Sequence, residues 1–246
     1  MCCFSGRVEH VSRTKIFARA LADGRQALAY EMAYGASEPV AMVLPIPTPP
    51  SPAEDAVHFV DLSKHADFFE RVQRAFPVPA ARSFGPPLQG GRQFLSLAVH
   101  DVGDFEASFV PTASDFARLH ARFRLPEQVW ASMPEQRTYG FVVAKLKAAP
   151  GEGKSIHPLA FTFPRRDARL FFPTVHVHDG AFHETADFAH ALYAQGLAQG
   201  TPGWWGGFAS GKQVMDETLG AGLVDADATL WSRSITGTQP NTDVWV

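Results

Sequence analysis

The stretch KIFARALADGRQALAYEMAY, from Lys15 to Tyr34, decides the fold of this chain. Lys15–Ala20 and Gln26–Tyr34 are rich in apolar and aromatic residues, and each predicts a β-strand. The Asp-Gly pair at positions 23–24 is a turn signal, so the sequence predicts a β-hairpin here. The continuously apolar Val40–Leu44 predicts a third strand.

Helices and strands follow one another irregularly in the rest of the chain. Apolar residues at helical spacing predict a helix over residues 68–76. Asp187–Ala198 predicts a helix with Phe188, Ala191 and Leu192 inward, with a strand as the alternative. Apolar runs predict further strands at Val57–Leu62, Gln93–Val102, Tyr139–Leu146, His157–Phe163, Arg169–His178 and Thr229–Thr236, of which Arg169–His178 is interrupted by Pro173. We therefore expect an α+β fold, with mainly antiparallel sheet or sheets and a few amphipathic helices packed on one side.

Length and composition limit the function classes. The 246 residues suit a single domain, and the Pro/Gly-rich residues 77–92 would be the boundary in an alternative with two subdomains. The net charge is −3 and no basic run is present, which argues against nucleic acid as a partner. The apolar runs are far shorter than the ~20 residues of a membrane span, and MCCFSGRVEH is not a signal peptide. We expect a cytoplasmic protein that acts on a small-molecule or peptide substrate.

Histidines are concentrated in TVHVHDGAFHETADFAH, residues 174–190, which hold four of the ten in the chain. If Val175–His178 is a strand, His176 and His178 point to the same face because side chains repeat every two residues. His183 or Glu184, beyond the Asp-Gly turn, would supply a third ligand. Two or three histidines with a carboxylate are typical of zinc and iron sites, and we predict a divalent transition-metal site that supports hydrolysis or oxidation.

The cluster has other interpretations. His176 and His178 would be ordinary polar residues of a sheet face, with His183 and His190 on the surface, or they would transfer protons without a metal. If Cys2 and Cys3 approach the same pocket, their thiolates favour zinc or copper over magnesium or calcium.

The N-terminal cysteine predicts a second kind of site. Removal of Met1 would leave Cys2 with its own amine as a base, the arrangement of N-terminal nucleophile hydrolases. Phe17–Asp23 resembles the Phe-Gly-Arg-Asn-Leu-Asp segment of the cholylglycine-hydrolase branch of these enzymes. The resemblance covers about twenty residues; Arg19 matches the family arginine, while Asp23 is displaced by one residue. It implies an amidohydrolase with Cys2 and Arg19 as catalytic residues.

Residues 43–47, VLPIP, followed by Phe68-Phe69, resemble a bacterial domain family of unknown function that begins with a cysteine-containing strand. This resemblance implies a fold and no activity. A third functional hypothesis is a non-catalytic binding or assembly module, in which Trp204 or Trp205, between glycines, would contact a ligand.

Overall fold

The computed structural model of the protein describes residues 2–76, 100–102, 105–147, 149–155, 157–215 and 221–246. The strands, in chain order, are β1 (Cys2–Phe4), β2 (His10–Ala20), β3 (Arg25–Ala36), β4 (Val40–Ile46), β5 (His58–Val60), β6 (His100–Val102), β7 (Phe105–Val110), β8 (Gly140–Leu146), β9 (Ala149–Ser155), β10 (Leu159–Pro164), β11 (Phe171–Phe172), β12 (His176–Val177), β13 (Thr185–Gln195), β14 (Trp205–Ser210), β15 (Thr229–Pro240) and β16 (Val244–Trp245). The α-helices are α1 (Phe68–Gln73), α2 (Glu127–Ser132) and α3 (Gly211–Val214), and 3-10 helices cover Ser63–His65, Ala113–Arg118, Ala121–Phe123 and Gln136–Thr138.

The predicted hairpin is confirmed. Strands β2 and β3 pair antiparallel around a turn in which Leu21 N–H donates to Arg25 O at 2.8 Å. Gly24 closes this turn with a φ of +80°, a conformation that is strained for any residue with a Cβ atom. The hairpin is the centre of the larger sheet, because β13 pairs with β2 and β10 pairs with β3.

Two sheets make up most of the described structure. The first, sheet A, has the order β12-β1-β4-β8-β7-β6, and the second, sheet B, has the order β14-β15-β13-β2-β3-β10-β5, with β9 also paired to β3. Parallel pairs occur only at β1–β12 and at β13–β2 among the described pairings, so the predicted mainly antiparallel character is confirmed. Strands β11 and β16 form a separate two-stranded ribbon.

The sheets pack face to face, and helices cover both outer faces. The central core joins Phe4, Met42 and Leu44 of sheet A to Ile16 and Leu192 of sheet B. A second core lies on the other face of sheet A. There Phe116 of the 3-10 helix at 113–118 and Trp130 of α2 pack against Cys3 and Phe141 of the sheet. A third core joins Phe17 and Tyr193 of sheet B to Phe68 and Phe69 of α1. The helices therefore lie on two sides of the molecule, and not on one side as predicted.

Several local predictions differ from the structure. Asp187–Ala198 contributes to strand β13, because eleven residues pair with β15 and six with β2, and these ladders override any helical preference of the segment. The strand predicted over Arg169–His178, with an interruption at Pro173, is two short strands on either side of that proline, β11 and β12, which belong to different sheets. The proposed subdomain boundary at residues 77–92 lies outside the described residues. Within the described ranges, none of the helices has the length and apolar character to traverse a bilayer.

Candidate functional site

The backbone at His176 is fixed between the two sheets by the segment that follows β15. Asn241, only 2% exposed, accepts the His176 N–H through Oδ1 at 2.7 Å. Its amide nitrogen donates to His176 O at 2.9 Å and to His183 O at 2.8 Å. One buried amide therefore holds both ends of the loop that joins β12 to β13.

Asp243 fixes the residues before β12 in a similar way. Its Oδ1 accepts the N–H groups of Thr174 at 2.9 Å and Val175 at 3.1 Å, and its Oδ2 accepts from Gln136 Nε2 at 3.0 Å. Burial raises the pKa of the Asp243 carboxyl, against the opposing effect of these hydrogen bonds. Both carboxylate oxygens of Asp243 are thus occupied by structural contacts.

Three histidines meet at this point, and we call His176, His178 and His190 the histidine column. The His176 ring is stacked between the other two, with centroid distances of 4.8 Å to His178 and 4.8 Å to His190. Phe188 lies 4.5 Å from His176, and Phe4 meets His178 edge to face at 5.7 Å. The column therefore lies between a strand of sheet A and a strand of sheet B, with aromatic neighbours.

Burial keeps the column uncharged. Desolvation lowers the pKa of His176 to about 3, of His178 to about 4 and of His190 to about 2. Each ring is therefore neutral at pH 7, which is the form that ligates metal ions.

The hydrogen bonding of the column is incomplete. His176 Nε2 and His190 Nε2 are 3.1 Å apart, so one of them donates to the other. His190 Nδ1 and His178 Nε2 are both buried, and neither has a hydrogen-bond partner within the described part of the chain. An unpaired buried polar group costs about 1–3 kcal/mol, so two of them, on the two outer rings of the column, are a substantial penalty.

The rings do not converge on a common point in this conformation, because they are stacked. Among the described residues, no three His, Cys, Asp or Glu side chains are arranged to hold a metal ion.

The structure brings together only some of the residues that the sequence analysis selected. His176 and His178 are adjacent, as expected, and His190 joins them. His183 is exposed and bonds Asp179 Oδ2 at 2.9 Å, and Glu184, also exposed, contributes its carbonyl oxygen to Asn241. The signal for His190 was the alternation of Phe188, His190 and Leu192, which identifies one buried face of a strand.

Cys2 and Arg19 lie in different parts of the fold. The register of β1 and β12 pairs Cys2 with His176, so this residue is next to the column. Arg19 pairs with Gln195 on β2–β13, five residues beyond the Thr14–His190 pair, which corresponds to about 16 Å of strand. There its Nη2 donates to Gly222 O at 2.6 Å.

The two tryptophans differ sharply in exposure. Trp204 is 7% exposed and packs on Phe172 at 5.3 Å, within the central core. Trp205 is 76% exposed and Phe208 is 83% exposed, and both lie on β14 at the edge of sheet B.

Comparison with known proteins finds structural similarity alone. No protein-family model and no curated protein matches the sequence. The chain is similar to the crystal structure of baculovirus P35, with 11% identity, a TM-score of 0.49 and coverage of 97% of this chain and 96% of that one. It is also similar to P35 chains from a caspase-8/P35 complex (11% identity, TM-score 0.47, 95% of each chain) and from a mutated P35 after caspase cleavage (12% identity, TM-score 0.46, 95% and 99%). At these identities and TM-scores, the likenesses assign no activity to this chain.

Proposed function

We propose that this protein binds a transition-metal ion through His176, His178 and His190. The observation that carries the proposal is the pair of buried, unpartnered ring nitrogens on His178 and His190, beside a third neutral imidazole. Coordination would give these nitrogens a partner and remove the penalty of leaving them unpaired.

The spacing of the rings supports this function. Two nitrogen ligands at roughly 2.0–2.1 Å from one ion stand about 3.1–3.4 Å apart when the angle between them is near tetrahedral. The separation of His176 Nε2 and His190 Nε2 is 3.1 Å. These two nitrogens are close enough to share an ion, although they already share a hydrogen bond, and an ion held between them would leave His190 Nδ1 unpaired.

Metal binding requires a local rearrangement, because the stacked rings do not converge. Rotation of an imidazole by 180° about its Cβ–Cγ bond exchanges nitrogen and carbon positions and preserves the volume of the ring. Such a rotation moves the ring nitrogens only within the plane of each ring, and an imidazole binds a metal ion in its own plane. Convergence of the three rings therefore also requires a change of rotamer about Cα–Cβ that unstacks them. The hydrogen bonds of Asn241 would keep the backbone of His176 in place meanwhile.

Metal titration of untagged protein tests the proposal, with bound metal measured by mass spectrometry after gel filtration. We expect one ion per chain, and an affinity at least about tenfold lower in His176→Ala and in His190→Ala. His183→Ala is the matched control, since this histidine is exposed and outside the column. Stoichiometric metal retained by a variant that lacks both His176 and His178 would contradict the proposal.

The amidohydrolase hypothesis has less support. Cys2 is in register with His176, but the low pKa of that imidazole, about 3, makes it a weak base for a thiol. Arg19, the other residue of the hypothesis, lies about 16 Å further along sheet B. Intact mass of the mature protein tests this hypothesis, since retained Met1 would leave Cys2 without a free amine.

The exposed aromatic residues of β14 favour a binding module as the second candidate. Large exposed apolar side chains on a sheet edge are typical of protein-binding surfaces. In that case Trp205 and Phe208 would contact the partner, while Trp204 would stabilise the core. Sedimentation of the wild type with candidate partners, compared with a Trp205→Ser/Phe208→Ser variant, would test this candidate.

A further inference from the structure

We infer that this protein forms a twofold-symmetric dimer, in which the free edge of strand β15 pairs antiparallel with the same edge of a second copy. The free edge consists of residues 233–240. Among the described pairings, β14 lies beside β15 only at Thr229, Trp231 and Ser232. The inference is independent of the metal-binding function, because it concerns the edge of sheet B and not the histidine column.

The orientation of the backbone groups along β15 follows from hydrogen bonds at its two ends. Asn241 N–H donates to Glu184 O at 2.8 Å, one step beyond the ladder of β13 and β15. Because bonded and non-bonded pairs alternate in an antiparallel ladder, the odd-numbered residues of β15 bond to β13 and the even-numbered residues face away from it. At the other end, Gly211 N–H donates to Ala228 O at 3.2 Å on the side of β14, which agrees with this assignment.

Three residues of the free edge therefore offer both backbone groups to a new strand: Ser234, Thr236 and Thr238. All three are exposed. Within the described part of the chain, one hydrogen bond reaches these groups, the long contact of 3.3 Å from Gln239 Nε2 to Thr236 O. Unpaired edge groups of this kind are a template for pairing with another strand.

The free edge lacks the features that usually prevent such pairing. Residues 234–239, Ser-Ile-Thr-Gly-Thr-Gln, carry no charge, and a proline follows only at position 240. Gly237 has a φ of +73°, but the pairing with β13 continues through it in a single register. The edge therefore keeps the regular geometry that a further strand requires.

The ends of the free edge limit the register of the dimer. Hydrogen-bonded partners in the twofold pair must both be even-numbered, since only these residues face outward. If Thr236 lay opposite its own copy, Asn241 of the second copy would reach the level of Trp231, where β14 already pairs. That register is therefore blocked.

In the register that fits, Thr236 of each copy lies opposite Thr238 of the other, and each of these pairs exchanges two backbone hydrogen bonds. Asn241 of the second copy then lies opposite Arg233, one residue short of the space that β14 fills. A further shift would oppose Thr236 to Pro240, which has no N–H to donate.

The side chains of the free edge are complementary to themselves in this register. Thr236 and Thr238 lie on one face of the sheet, and cross-strand threonine pairs stabilise antiparallel sheets. Gly237 lies opposite its own copy, at a pair where the Cα atoms approach to about 4.5 Å. Arg233 lies opposite the neutral Asn241, so no like charges meet. These matches favour a second copy of the chain over an unrelated strand.

The pairing also covers an exposed aromatic side chain. Trp204 is buried in the central core, so Trp205, the next residue, points to the opposite face, where it is 76% exposed and pairs with Ser232. In the inferred dimer, Pro240 of the second copy lies opposite Ser234, two residues further along the same face. The indole and pyrrolidine rings therefore pack together, once in each half of the dimer.

The dimer should be weak. A strand of eight residues is about 26 Å long, and an edge of this length buries less than the ~1,200–2,000 Å² of a standard interface. We expect a Kd on the order of 10–100 µM. Sedimentation velocity in EDTA, over protein concentrations that bracket this range, measures it without any contribution from metal.

A matched pair of double variants tests both the edge and its register. Both carry Thr238→Lys, beside Asp187, whose Oδ1 accepts from Thr238 in the wild type; one adds Thr236→Lys and the other adds Thr236→Glu. The first variant places like charges opposite each other across the dimer, and the second places opposite charges there. We expect the Kd of the first to be at least about tenfold higher than that of the second. Circular dichroism and thermal melting verify that both are folded.

Amide exchange measured by NMR supplies a second readout. The amides of Thr236 and Thr238 should exchange more slowly as the protein concentration rises through the Kd. The amide of Ile235 is bonded to β13 and should be protected at every concentration.

Three outcomes would overturn the inference. A protein that stays monomeric well above 100 µM would leave the free edge to a strand of another protein. Equal dimer affinities in the two double variants would exclude the register. A dimer that is lost in Trp205→Ser/Phe208→Ser and indifferent to charge at position 236 would assign the contact to β14. None of these outcomes bears on the metal titration, so the two proposals fail separately.

Discussion

Acid should unfold this protein through the histidine column, and the size of the effect follows from the burial of the three rings. Their pKa values lie at about 3, 4 and 2 in the folded protein, against 6.5 for a histidine in an unfolded chain. Between pH 6.5 and these values, the unfolded state binds protons that the folded state does not. The stability that neutral rings contribute is therefore complete above pH 6.5 and is lost as the pH falls towards 3.

The loss of folding stability at pH 5 depends little on the pKa values of the folded protein, provided that they stay near or below 4. At that pH each ring lowers the free energy of unfolding by about 2 kcal/mol, because a pKa unit corresponds to ~1.4 kcal/mol and the pKa in the unfolded chain lies ~1.5 units above the pH. Three rings together give about 6 kcal/mol. This is comparable with the entire stability of a typical domain, about 5–15 kcal/mol, so we expect unfolding in mild acid.

Urea denaturation of metal-free protein at pH 7.5, 6.5 and 5.0, in EDTA, measures the effect. His190→Phe removes one titrating group and keeps an aromatic ring beside Phe188, so its loss of stability between pH 7.5 and 5.0 should be smaller by about 2 kcal/mol. His58→Gln, at an exposed position of β5, is the control. A total loss below about 2 kcal/mol in the wild type, or the same loss in His190→Phe, would refute the claim that these rings are buried and neutral.

Four further substitutions test other parts of the fold. Asn241→Ala removes three buried hydrogen bonds to the backbone around β12, so it should destabilise the protein by about 2–4 kcal/mol and weaken metal binding, as measured by urea denaturation and metal titration; unchanged stability would contradict the role of Asn241. Trp204→Ala should destabilise the protein by about 3–5 kcal/mol because this side chain is buried. Trp205→Ser should change the stability by less than ~0.5 kcal/mol because Trp205 is 76% exposed. Equal effects of the two substitutions would contradict the burial of Trp204 and the exposure of Trp205. Gly24→Ala should cost about 1 kcal/mol in the same assay, because its φ is +80° and no neighbour lies within 4 Å of the added Cβ, so any loss comes from the backbone alone.

Local sequence patterns predicted the part of the fold that depends on local chemistry. The hairpin of β2 and β3 was readable because an Asp-Gly turn separates two apolar runs, and α1 was readable because its aromatic residues recur at helical spacing. Strand pairing between distant segments leaves no such local signal. The parallel pair of β1 with β12 joins residues more than 170 positions apart, and it places Cys2 beside His176 in the sheet register.

In the candidate site too, local spacing was predictive and long-range strand pairing was not. The HxH spacing predicted that His176 and His178 would lie together, and they do. The choice of a third residue failed to include His190, because it assumed that proximity along the chain, at His183 and Glu184, implies proximity in space. The loop after His178 instead points these residues to solvent, where His183 bonds Asp179.

The place of His190 in the column is determined by the pairing of strand β13 along its whole length. Its strand pairs with β15 over eleven residues, which fixes the register and hence the face on which His190 lies. A shift of that register by one residue would exchange His190 and Phe188 for Ala189 and Asp187, and would place a carboxylate between the sheets. The uncharged character of the column, on which the acid sensitivity depends, therefore rests on the pairing of β13 with β15, a strand that lies tens of residues beyond the histidines in the chain.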